Sequence, residues 1–133
     1  MNKYISEKMA INALILLLSL VIVFHILVIS GIIPFEIVWG GRLTDSSELP
    51  LYESISISLN LLMLFMVLTK AGYLRIRMKE NIYRIFFGLM CLLFLVNTIG
   101  NIFSKNDLER MIFTPFTLIL TVLFLRLAIT NKK

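Results

Sequence analysis

PFEIVWGGRLTDSSELPLYESISISLN, residues 34–60, is the longest interruption in an otherwise apolar chain of 133 residues. It holds the only tryptophan, Trp39, the adjacent pair Gly40-Gly41, and four of the eight acids, Glu36, Asp45, Glu48 and Glu53. Before Pro34 the chain is apolar back to Met9. After Pro50 it is apolar again, but the first half of that next block carries Glu53, Ser56 and Asn60. A polar stretch between two apolar blocks, each near the ~20 residues that cross a hydrocarbon core, reads as the loop joining two membrane helices.

The rest of the chain repeats the pattern. Hydrophobic residues make up 59% of it, where a soluble domain averages about 45–50%; the mean hydropathy is +0.92. The excess falls in four blocks, roughly 9–33, 50–69, 85–103 and 111–129. The expectation is an all-α integral membrane protein: one domain over residues 1–133, a four-transmembrane-helix bundle with a structured outer loop between its first two helices. The first block is too long for the h-region of a signal peptide, about 7–15 residues, and no A-x-A pattern follows it, so it reads as a retained helix. Asp45, Ser46 or Ser47 suits the cap of the second helix, with Pro50 in its first turn. Asn106 with Glu109 resembles a capping box before the fourth.

Orientation follows from the basic residues. Lys3, Lys8, Lys70, Arg75, Arg77, Lys79, Arg84, Arg126, Lys132 and Lys133 fall on one side; only Arg42, Lys105 and Arg110 fall on the other. The positive-inside rule then places both termini in the cytoplasm, in a multi-pass protein of the plasma membrane. The net charge of +5 does not point to nucleic acid, because these residues lie between apolar blocks and form no separate basic domain. A single cysteine, Cys91, excludes an intrachain disulfide and a CxxC redox pair.

Polar side chains inside the blocks mark candidate sites, since each needs a partner or a wet cavity in lipid. Glu53, Ser56 and Asn60 share one helical face. So do Asn97, Gly100, Asn101 and Ser104, and so do Thr114, Thr117 and Thr121. Helix one contributes His25. At ~1.5 Å per residue, Asn60 lies about 15 Å below the outer end of its helix. His25, Asn97 and Thr117 lie roughly 10 Å below theirs. The stripes therefore fall in the outer half, while the inner halves are nearly all Leu, Ile, Val, Phe and Met. Turned toward one another they line a polar pocket. Asn, Ser and Thr also bond helices together as plain glue, at about 0.6 kcal/mol each, and the spacing fits both roles.

In the loop, Trp39 suits an interfacial anchor. The glycine pair permits a sharp reversal before Arg42, whose guanidinium has Glu36 and Glu53 as prospective partners or could take an anion. Pro115 removes one amide from helix four and should kink it.

The leading expectation is a protein that binds a lipophilic or zwitterionic small molecule, or a lipid head group, through Glu36, Trp39, Arg42, Glu53, Ser56, Asn60, Asn97, Asn101 and Thr117. A second is a membrane enzyme using Glu53 or Glu36 with His25 as acid and base. A third is an accessory subunit of a larger membrane complex. The expected partners are membrane lipid, such a ligand, and a second copy or another membrane protein. No cofactor is called for, and with one histidine and no Cys cluster no metal either. The first block lacks the mid-helix acid on which small multidrug transporters rely, and the chain lacks the cysteines of tetraspanins and of vitamin K epoxide reductase-like enzymes.

Overall fold

A computed structural model describes residues 6–33, 49–103, 107 and 109–129, and among these it contains helices and no strand. Four helices are long and apolar enough to cross a membrane. Among the described residues the helices are α1 (Glu7–Ile29), α2 (Leu49–Ala71), α3 (Glu80–Ile102) and α4 (Thr114–Ala128); the fourth span, Arg110–Ala128, reaches its length only with the turn that precedes α4. A single wider π turn, Glu109–Phe113, leads into α4.

Local chemistry sets the helix ends. Ser6 caps α1 by accepting the Met9 amide at 3.0 Å, satisfying one of the orphan donors of the first turn. Both α1 and α2 stop at a glycine with φ of +88°, Gly31 and Gly72. In each case two backbone bonds close the end. Ile32 N–H reaches Leu27 O and Gly31 N–H reaches Val28 O; Tyr73 N–H reaches Leu68 O and Gly72 N–H reaches Thr69 O. That is the Schellman pattern, which needs a left-handed residue and so favours glycine. The helix α3 begins at Glu80, more than a turn before its apolar block at Ile85. Glu80 in the first turn suits the positive end of the helix dipole.

Side-chain contacts show an antiparallel arrangement. His25 near the end of α1 meets Glu53 near the start of α2. Thr98 and Asn101 near the end of α3 meet Thr117 near the start of α4. The close helix pairs are α1 with α2, α3 with α4, and α1 with α4. We call the end where α1 begins the termini end.

The core lies toward that end. Ala10, Leu14 and Leu18 of α1, Met63 and Val67 of α2, Tyr83 and Phe87 of α3, and Leu120, Phe124 and Leu127 of α4 are fully buried or nearly so. Phe124 stacks on Phe94 at 5.6 Å between centroids and lies 6.0 Å from Phe87, which in turn stacks on Tyr83. Such pairs add about 0.5–1.5 kcal/mol beyond their buried area. The outward faces carry Leu16, Leu20, Leu89, Leu92, Val96 and Ile119, all exposed, an apolar surface suited to lipid rather than to water.

The core is closed at the termini end by polar bonds. Lys70, whose side chain is 3% exposed, pairs with Glu80 and lies 3.8 Å from Glu7. Its ammonium also sits 5.2 Å from the Tyr83 ring centroid. The Tyr83 hydroxyl donates to Thr69 Oγ1 at 3.0 Å and accepts the Met78 amide at 3.2 Å. Three helices are tied there through two side chains.

Candidate functional site

At the other end of the bundle the packing opens. Glu53, in the second turn of α2, is 0% exposed, enclosed by the protein itself. Nδ1 of His25 lies 2.6 Å from its Oε2. A buried carboxylate without a partner is costly by several kcal/mol, and His25 supplies one, though not the only one. Phe24 packs edge-on against Phe113 of the π turn at 5.7 Å, joining α1 to the start of α4 beside this pair.

A second polar group joins α3 to α4. The hydroxyls of Thr98 and Thr117 are 2.9 Å apart, and Asn101 Nδ2 donates to Thr117 Oγ1 at 3.4 Å. The Thr117 hydroxyl also approaches the Phe113 carbonyl at 2.8 Å, just before Pro115. Pro115 sits in the first turn of α4, so the missing amide falls at the junction between the π turn and the α-helix. Here the polar side chains are interhelical glue.

Between these two groups lies a cavity of about 300 Å³. His25, Val21 and Phe24 of α1 form one wall. Ser56, Leu59, Asn60 and Met63 of α2 form another. Leu93, Phe94, Asn97 and Asn101 come from α3, and Phe113, Phe116, Thr117 and Leu120 from the fourth segment. Met63, Phe94 and Leu120 mark the edge of the packed core. Of the helices around it, α2 and α3 are not a closely packed pair, and Asn97 of α3 is exposed. No acid, lysine or arginine is on the walls among the described residues, and Glu53 is set back behind His25.

Asn60 differs from the other polar groups. It is 6% exposed, its Nδ2 donates to the Ser56 carbonyl at 2.7 Å, and its Oδ1 is buried with no partner among the described residues. The donor contact fixes the amide orientation, because a carbonyl can only accept. An unpaired buried acceptor forfeits about 1–3 kcal/mol. Thr114 Oγ1 is in the same condition, but Thr114 is not on the cavity wall.

Of the residues singled out in the sequence, His25, Ser56, Asn60, Asn97, Asn101 and Thr117 meet around this one cavity, with Glu53 directly behind it. Glu36, Trp39 and Arg42, the Arg42–Glu53 pairing, and the caps at Asp45, Ser46, Ser47 and Asn106 lie outside the described residues. Thr98 went unremarked in the sequence, although it sits three residues from Asn101 on its face. The Lys70–Tyr83–Thr69 cluster also went unremarked, its residues lying at block edges. Among the described residues no three of His, Cys, Asp and Glu come together as a metal site would require.

Set against protein-family models, curated proteins and solved structures, the chain matches none of them.

Proposed function

We propose that this is a four-span protein of the plasma membrane, with both termini in the cytoplasm, that binds a neutral or zwitterionic amphiphile in the outer half of its bundle. The observation that carries the reading is Asn60 Oδ1: a buried acceptor with no partner among the described residues, on the wall of a cavity large enough for a ligand. Pockets that hold small molecules are mostly apolar with a few placed polar groups, and this wall has that composition. A ligand hydroxyl or amine that donates to Oδ1 satisfies the acceptor. His25, Asn97 and Asn101 stand near enough to the same space to receive the rest of a polar head. An alkyl tail has Val21, Leu59, Leu93 and Phe116 to lie against. With no carboxylate, lysine or arginine on the wall among the described residues, the lining favours a ligand without net charge over a charged one.

Glycerol monooleate and its dimethyl ether test the donor requirement, because they share the tail and the ester and differ in that methyl groups replace the hydroxyl protons. The monoglyceride should raise the melting temperature of the detergent-solubilised protein, and the diether should not. Equal stabilisation by both would remove Asn60 from the reading.

A second reading rests on the His25–Glu53 pair. A carboxylate that orients an imidazole leaves Nε2 free for acid–base work. Ser56, on the same cavity wall, carries the hydroxyl that would give its proton to Nε2. Under this reading Glu53→Gln abolishes turnover of an ester-bearing lipid while leaving its binding intact.

A further inference from the structure

The connection between α2 and α3 has a chemistry of its own. From Gly72 it runs Tyr-Leu-Arg-Ile-Arg-Met-Lys, with basic residues at 75, 77 and 79 and apolar ones at 74, 76 and 78. From Ile76 to Lys79 the backbone is neither helix nor turn. The segment is built rather than loose: Met78 packs against the core and its amide donates to Tyr83 Oη at 3.2 Å. Tyr73, Leu74 and Ile76 are exposed, as are Arg75, Arg77 and Lys79. The two acids at this end among the described residues, Glu7 and Glu80, face Lys70. Arg75, Arg77 and Lys79 have no acidic partner among the described residues.

We propose that residues 73–79 form a binding surface for anionic phospholipid head groups, a proposal that needs the membrane reading but not the cavity. The segment joins two spanning helices, so it lies where the apolar belt ends and the head groups begin. Ile76 and Leu74 enter the acyl boundary while the arginines reach phosphate oxygens, which their planar forks match in geometry. The apolar side chains interleaved with the basic ones suit the acyl boundary beneath the head groups. Basic residues next to a spanning helix attract anionic lipid within a Debye length of the surface.

The full chain is reconstituted in phosphatidylcholine vesicles containing a minor share of phosphatidylglycerol. Electron spin resonance of labelled lipids then gives the relative association of the two head groups. The wild type should prefer phosphatidylglycerol about fivefold, the worth of one basic side chain near a charged surface. The triple variant R75Q/R77Q/K79Q should fall to parity, R75K/R77K should keep most of the preference, and Lys8→Gln should keep all of it. Flotation checks that each variant enters the vesicles. A triple variant that floats and still prefers phosphatidylglycerol overturns the proposal, as does a wild type without preference. A wild type that fails to float overturns it together with the membrane reading.

Discussion

Glu53 and Asn60 sit two turns apart on α2 and carry opposite kinds of polar burial. Glu53 is enclosed and paired with His25 at 2.6 Å. Asn60 is enclosed and half-paired. Removing His25 or Glu53 takes a close partner from the other group, so His25→Ala and Glu53→Ala should each destabilise the protein. Their double-mutant cycle in detergent melts should give a coupling of about 1–3 kcal/mol, as expected for groups in contact. Additive effects would separate the two residues energetically. Asn60→Leu should behave in the opposite way. It removes an unsatisfied acceptor, so the ligand-free protein should melt no lower than wild type. The helical spacing of Glu53, Ser56 and Asn60 already places them on one face. Spacing does not say which face of another helix they meet. Glu53 has both Arg42 and His25 as prospective companions in the sequence, and only the juxtaposition of α1 with α2 brings His25 to it. The division between glue and orphan is likewise invisible in a string of letters: Asn60 and Asn101 look equivalent there, yet Asn101 finds Thr117 and Asn60 Oδ1 finds nothing among the described residues.

The helices are legible as apolar runs, and their ends much less so. Composition marks the block at 85–103, but α3 starts at Glu80 because Tyr83 and Glu80 are anchored by Thr69, Met78 and Lys70. Those are tertiary contacts that no local window contains. Tyr83→Phe deletes one hydroxyl that serves two bonds, and a loss of about 1–3 kcal/mol is expected from the stranded Met78 amide and Thr69 partner, read by thermal melting. Gly72→Ala tests the helix end alone. Nothing lies within 4 Å of a Cβ built there, so any loss, of about 1 kcal/mol, comes from the left-handed backbone and not from a clash. Gly31 obeys the same logic and ends α1 at Ile29, short of the apolar residues that continue to Ile33. The π turn before Pro115 is the least legible element. A proline in an apolar block signals a break in the ladder, whereas the wider turn that absorbs it depends on Phe113 packing against Phe24.

As a whole the bundle is packed at the termini end and hollow at the other. Stacked aromatics and the Lys70 cluster close one half; the two polar groups hold the other half apart around the cavity. The four apolar blocks make the bundle readable from composition, and the concentration of polar residues in one half makes the cavity's location readable from depth. Its lining depends on how the helices pair, which composition does not specify. Orientation is open to a direct check. In a Cys91→Ser background, a cysteine at Ser47 should react with an impermeant thiol reagent in intact cells, and one at Lys79 only after lysis; the reverse pattern would invert the topology. The central claim is that the cavity holds a donor-bearing amphiphile through Asn60. Native mass spectrometry of the gently solubilised protein, wild type beside Asn60→Leu, tests it most directly. The account predicts a lipid-sized adduct on the wild type that is absent from an equally stable Asn60→Leu variant. An adduct retained undiminished by that variant, or none on either protein, would contradict it.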